Sequence, residues 1–221
     1  MLNSNTGHIP KMKLSRHPVT WVAQILAPWQ NGQVEMSRYQ YVPQSFNDYR
    51  STFFIPVSHI NENSLLEMLI TLEPDYELAM HSKVLIGSEH YHIPMIDFGS
   101  KGSSPAASET IKELCRYWNM TFSIYESGRS FHAYGDRLLT QEQWLQFMGS
   151  LLLLNKPSGY KLIDERWVGH RIMAGYSALR WSKNTSHYKR FPTHCGFVNG
   201  DNFNVSETGI APSPPSLPTT W

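Results

Sequence analysis

A capping box followed by a one-sided apolar stripe constrains this chain of 221 residues more than any other feature. In Thr140-Gln141-Glu142-Gln143 the threonine hydroxyl can satisfy an orphan amide of a first helical turn, and the third side chain can reach back to the cap amide. Trp144, Phe147, Met148, Leu151 and Leu152 follow at helical spacing. Such a helix tolerates water on one side only, so a flat apolar surface must cover the other. A second segment makes the same demand: Ile111, Leu114, Cys115 and Trp118 stand at i, i+3, i+4 and i+7, with Pro105 suited to the first turn.

Strand-like runs supply that surface. Residues 83–87 and 92–98 predict two strands joined by a hairpin turn. Phe122 and Ile124 alternate with polar residues over 120–126; Ser127-Gly128-Arg129 turns the chain and 130–134 continues as a second strand. Leu162-Ile163-Asp164 reads as a strand end, and 172–181 as a further strand, with or without a turn before it. Nearer the start, Thr20 to Ala27 is a short apolar segment ended by Pro28, and 51–55 is a strand bounded by Pro56. Ser64-Leu65-Leu66-Glu67 has capping-box spacing and predicts a helix over 64–72, stopped by Pro74. The order strand, strand, helix, strand, strand, helix, strand predicts an α+β fold with helices packed on a sheet.

Composition narrows the function classes. Nineteen basic and 18 acidic residues give a net charge of +1, which excludes a dedicated nucleic-acid coat and leaves only a local basic patch for such contacts. Two cysteines, Cys115 and Cys195, form no disulfide framework and fit a reducing compartment. The first 20 residues carry no signal-peptide pattern, and the run Leu151-Leu152-Leu153-Leu154 is far too short to span a bilayer, so a cytoplasmic protein without a membrane partner is expected. The opening stretch to about Val19 reads as a loose arm. The tail beyond about 205, rich in Ser, Thr and Pro, reads as disordered or extended.

Three places can carry chemistry. Asp97 ends the apolar run Ile93-Pro94-Met95-Ile96 and precedes a glycine-rich loop, where a carboxylate projects into the crevice at a strand end and can hold a divalent metal. The plainer reading is that it caps the loop amides of Gly99 and Ser100. Ser130 and His132 point to one face of a strand, with Phe131 turned to the core. A hydroxyl and an imidazole side by side can bond phosphate oxygens, with Arg129 and the turn amides alongside; the plainer reading is a half-buried histidine on a carbonyl. Asp164 stands at the second strand end. After it come Arg166, His170, Arg171, Arg180, Lys183, Lys189 and Arg190, interleaved with Trp167, Tyr176, Trp181 and Tyr188, a pattern suited to phosphate contacts and base stacking or simply to a solvated face over a core.

Taken in order, these motifs resemble the archaeo-eukaryotic primase superfamily, whose primase-polymerases prime or copy DNA. Ile96-Asp97-Phe98-Gly99 stands for its apolar-Asp-x-acid motif, Ser130-Phe131-His132 for small-x-His, and Ile163-Asp164 for apolar-Asp. The stretch from Asp164 through Ser182 most resembles a primase-like branch, and the whole match covers about 83–190. The resemblance implies an RNA-recognition-like, mainly antiparallel sheet with an additional small N-terminal α/β lobe: an arm and lobe over 1–80, a core over 81–204 and a tail over 205–221. It implies a nucleotidyltransferase acting on nucleoside triphosphates and a single-stranded template, with a protein partner supplying helicase or further primase function. Asp97, His132 and Asp164 would be catalytic, with Mg²⁺ or Mn²⁺ on Asp97 and Asp164. Arg129, Ser130, His132, Arg171, Arg180 and Lys183 would bind nucleotide. One departure stands out: Gly99 occupies the place of the second acid, so the site holds one ion, recruits Glu165 or Glu89, or is a weakened copy that binds nucleotide within a larger replication or defence complex. A nuclease using the same carboxylates is a further reading. His187, His194 and Cys195 make a poor tetrahedral zinc set.

Overall fold

The computed structural model describes residues 14–99, 105 and 108–204. The expectations for residues 1–13, the glycine-rich tract at 100–104 and the tail at 205–221 lie outside that range.

Order begins earlier than the expected loose arm allows. Leu14–Arg16 forms a 3₁₀ turn and α1 spans Pro18–Leu26. Pro18 sits in the first turn, and His17 caps the helix by accepting from the Val19 amide through Nδ1 at 3.1 Å. That bond puts the proton on Nε2, which donates to the Trp181 carbonyl at 2.8 Å. A polar sequence is therefore buried because both ring nitrogens find partners.

Among the described residues every strand pairing is antiparallel, giving the expected α+β architecture, and the strands divide into two sheets. The first contains β1 (Gln33–Tyr39), β2 (Arg50–Pro56), β3 (Glu77–Ile86) and β4 (Glu89–His92). Gly87, at φ 62°, makes the tight link between β3 and β4. The run 92–98 is not one strand. β4 ends at His92, and β5 (Met95–Asp97) joins the other sheet beside β7 (Phe131–Gly135). Pro94 lacks an amide for either ladder, and its carbonyl accepts from Gly135 at 2.8 Å, so the chain crosses between sheets there.

The second sheet is completed by β6 (Phe122–Glu126), β10 (Thr193–Val198) and β11 (Phe203–Asn204), in the order β11-β10-β6-β7-β5. Two short strands, β8 (Leu139–Thr140) and β9 (Ala178–Arg180), pair with β4 and β3 of the first sheet.

The helices follow their stripes. α3 (Glu109–Trp118) buries Ile111, Leu114, Cys115 and Trp118, and starts after Ser108 rather than at Pro105. α4 (Gln141–Leu152) has both halves of its capping box formed, at 3.0 and 3.2 Å. α2 (Glu62–Ile70) is capped by Asn61, which accepts from the Ser64 amide, so the box expected at Ser64 is not used. Of the run 172–181, the first three residues are the end of α5 (Glu165–Ala174), 175–177 turn the chain, and only 178–180 pair as the expected strand, β9. Asp164 caps α5, and Gly175 ends it at φ 77°. Among the described residues no helix is long and apolar enough to cross a membrane, and Cys115 and Cys195 are free thiols.

Candidate functional site

The two aspartate-bearing segments are stitched together through their backbones. Phe98 and Ile163 form an isolated antiparallel bridge. The Asp164 amide donates to the Asp97 carbonyl at 3.1 Å, and the Gly99 amide to the Leu162 carbonyl at 3.0 Å. Across the other edge of β5, Asp97 is in register with His132 of β7. Asp97, His132 and Asp164 thereby line one cleft of about 390 Å³, together with Ser127, Arg129, Ser130, Arg171 and Arg180. Lys183 is exposed and outside that lining, as are Glu89 on β4 and Glu165, which pairs with Lys161.

Gly99 explains why no second acid accompanies Asp97. A Cβ there would meet the Ile163 carbonyl oxygen at 3.2 Å and the Asp164 nitrogen at 3.3 Å. The close approach that brings the two aspartates together leaves a side chain at 99 tight against the 163–164 backbone, which would have to give by a few tenths of an ångström. Gly99→Asp is therefore expected to pry Asp164 from Asp97, lowering the melting temperature and giving no gain in nucleotide transfer; a more active variant in a primer-extension assay would contradict this packing.

Asp97 is an electrostatically perturbed carboxyl of the cleft. Burial, then the charge of Asp164, push the Asp97 carboxyl well above the usual carboxylate range, against the opposing charges of Arg180 and Arg171. Its side chain keeps 23% of its surface open, facing the cleft. Asp164 spends Oδ1 on the amides of Arg166 and Trp167, each at 3.0 Å. His132 Nε2 lies 3.8 Å from Asp97 Oδ1, too far for a hydrogen bond, and its Nδ1 is buried without a partner. Burial, then Arg180, lower its pKa to about 3, so the imidazole is neutral at physiological pH.

Burial holds His17, His81, His92 and His132 at about 3, 4, 4 and 3 against an ordinary value of 6.5. Groups depressed in the fold contribute stability that is present above the unfolded value and lost as pH falls towards the folded one. The melting temperature should thus drop steadily between pH 6.5 and 4, each histidine contributing up to roughly 1.4 kcal/mol per pH unit. A flat profile over that window would contradict the burial of these rings.

The basic residues divide by what their donors already hold. Arg129 is exposed and donates to the His187 carbonyl at 3.0 Å. Arg180 is 4% exposed, donates to the carbonyls of Ser127 (2.6 Å), Arg190 (3.3 Å) and Ser182, and lies 4.0 Å from the Tyr188 ring centre. Its charge reaches the cleft while its hydrogen bonds hold the β6–β7 turn. Ser130 shares that turn, its hydroxyl 3.3 Å from that of Ser127.

One wall was not legible in the sequence. Residues 40–50 bring Tyr41, Ser45, Asp48 and Arg50 to the cleft. Although burial opposes it, hydrogen bonding and charge from Arg50, with the charge of Arg171, hold the Asp48 carboxyl down to about 2. Behind Arg50 lies a buried relay: Ser37 Oγ is 2.7 Å from His81 Nε2, and His81 Nδ1 is 2.5 Å from Glu35 Oε2. Its order matches a nucleophilic triad, but Ser37 is 0% exposed and also receives a bond from Arg50, so it anchors rather than attacks. The only signal for this wall was the pair Asp48 and Arg50 within a polar stretch.

Among the described residues no group of three or more His, Cys, Asp or Glu is arranged to hold a metal ion. The donors present, the Asp97 carboxyl and the nearby Asp164, whose charge disfavours ionisation of Asp97, fit one hard divalent ion shared with ligand phosphates rather than an all-protein cage. No curated protein and no solved structure matches the chain. The family model described as archaeo-eukaryotic primase 1D-like matches residues 56–193, more than half of the chain and all three strand-end motifs. With its two aspartates and the small-x-His strand meeting in one cleft, the chain belongs to the archaeo-eukaryotic primase-like family of nucleotidyltransferases, which is generally metal-dependent.

Proposed function

We propose that the cleft binds a nucleoside triphosphate and transfers its nucleotide to a primer or initiating nucleotide on a single-stranded template. The observation that carries this reading is the pairing of Asp97 with Asp164, whose mutual repulsion a divalent cation would relieve. Asp97 and the unengaged side of Asp164 would hold Mg²⁺ or Mn²⁺. Such an ion, when bound, stabilises charge on the phosphates and lowers the pKa of an attacking 3′-hydroxyl. Ser130 and the Ser127–Ser130 turn face the phosphates with a hydroxyl and amides, and Arg129 at the rim adds a guanidinium. Neutral His132 can donate a hydrogen bond to a phosphate oxygen without a proton leaving it. Arg171 and Arg180 supply positive potential where pyrophosphate charge develops. A cytoplasmic setting is consistent with the free thiols.

A second reading has its own support: a nucleotide- or nucleic-acid-binding module without turnover, favoured by the Gly99 wedge and the missing third carboxylate. Incubation with single-stranded template, labelled nucleoside triphosphates and Mn²⁺ separates them, comparing wild type with Asp97→Ala and His132→Ala. Product from wild type alone supports transfer. Retained triphosphate binding without product supports the module, and a shortened template would point to a nuclease.

A further inference from the structure

Arg171 carries a buried guanidinium with unfinished hydrogen bonding. Its side chain is 2% exposed, Nη2 donates to Asp48 Oδ2, and Nε and Nη1 have no partner. Arg50 donates through Nε to the same Asp48 oxygen at 2.8 Å. Arg50 is fixed from behind by Ser37 Oγ at 3.3 Å and by the Tyr39 ring, whose centre lies 4.1 Å from the guanidinium carbon. One carboxylate oxygen thus bridges two guanidinium groups, all three residues lining the cleft that contains Asp97 and His132.

The arrangement is short of negative charge and of acceptors. Two cations face one anion, and the charge of Arg50 works against that of Arg171. Phosphate offers more oxygens and up to two charges, and it matches the planar fork of arginine. The arginines stand on β2 and α5, elements fixed by ladder and helix bonds. Asp48 sits instead on the mostly exposed 40–49 connection, its side chain 27% open, so its carboxylate can leave while the two guanidinium groups stay.

We propose that Arg50 and Arg171 form a phosphate subsite in which Asp48 is a resident anion, displaced when a phosphate group enters. This rests on the reading of the cleft as a phosphate-binding site, and it adds Arg50 and Asp48, which precede the family-matched residues 56–193. The phosphate belongs either to a nucleoside triphosphate or to the backbone of a single strand; the chemistry of the subsite is the same.

Calorimetric titration of the full chain with inorganic tripolyphosphate and with a short oligothymidylate tests it. Asp48→Asn should bind at least one of them about tenfold tighter than wild type, and Arg50→Gln about tenfold weaker, the scale of one charge-assisted contact. Tightening towards tripolyphosphate alone assigns the subsite to the nucleotide, and towards the oligonucleotide alone to the strand; either supports it. Unchanged affinities in both variants, with wild type still binding, overturn the subsite and leave the cleft reading standing. No binding of either probe by wild type or by Asp48→Asn overturns both. Should Asp48→Asn fail to melt cooperatively, Arg50→Gln decides alone: weaker binding supports the subsite and unchanged binding overturns it.

Discussion

Asp97→Asn is expected to remove nucleotide transfer and at the same time to stabilise the protein at neutral pH. The loss should be at least about 100-fold, because a ligand that helps hold a charge-neutralising ion is worth several kcal/mol in the transition state. The gain follows from the sign of the Asp97 shift. Its folded-state pKa lies above the ordinary 3.8, so its contribution to stability is fully present in acid and is lost as pH rises through the folded value. At pH 7 the wild-type fold therefore encloses a carboxyl group whose ionised form its surroundings disfavour, next to Asp164. The amide removes that cost and keeps the shape. A gain of about 0.5–2 kcal/mol, or roughly 2–6 °C in melting temperature, is the usual scale when such a functional compromise is relieved. Melting curves of both proteins should converge as pH falls towards 4. An Asp97→Asn protein that is less stable than wild type at pH 7 would show that the carboxylate is held by the fold rather than tolerated by it.

Arg180→Met should do the opposite, with its main effect on stability. The substitution keeps an apolar stem but strips the carbonyls of Ser127, Ser182 and Arg190 of a buried donor and removes the cation stacked on Tyr188. Each buried acceptor left unpaired costs about 1–3 kcal/mol, so a net loss of roughly 2–4 kcal/mol is expected after partial relaxation. That corresponds to a fall of roughly 5–15 °C in melting temperature. Lysine should rescue only part of it, because a single ammonium cannot span carbonyls on both the β6–β7 turn and the 182–190 segment. The imidazole of His132 provides a second readout: with the Arg180 charge gone, its NMR titration should move upward from about 3, burial alone keeping it below the ordinary 6.5. A variant as stable as wild type would mean that Arg180 faces the cleft without holding its rim.

What could be read from the residues follows from where each signal lives. α4 was legible because cap and stripe are local, and both halves of the box formed as the spacing demands. Asp97, Ser130, His132 and Asp164 were legible as candidates because each stands at a junction between apolar run and polar loop. α5 was not, since only Val168 and Arg171 are buried along its ten residues and no stripe marks it. β1 was missed for a related reason: Glu35 and Ser37 look like surface residues, yet both are buried because β3 supplies His81 between them. The run 92–98 kept its apolar character while changing sheets, which hydropathy does not register and Pro94 only hints at. The 40–50 wall depends on contacts such as Asp48 with Arg171, 123 residues apart, that no local pattern encodes.

The central claim is that Asp97 and Asp164 jointly hold a divalent ion carrying triphosphate. Crystals of the protein soaked with Mn²⁺ and a non-hydrolysable nucleoside triphosphate test it through the anomalous signal of manganese. One strong peak is expected within about 2.0–2.6 Å of an oxygen from each aspartate, with triphosphate oxygens completing its shell against Ser130 and the β6–β7 turn. A triphosphate bound elsewhere, or manganese coordinated without either aspartate, would contradict it.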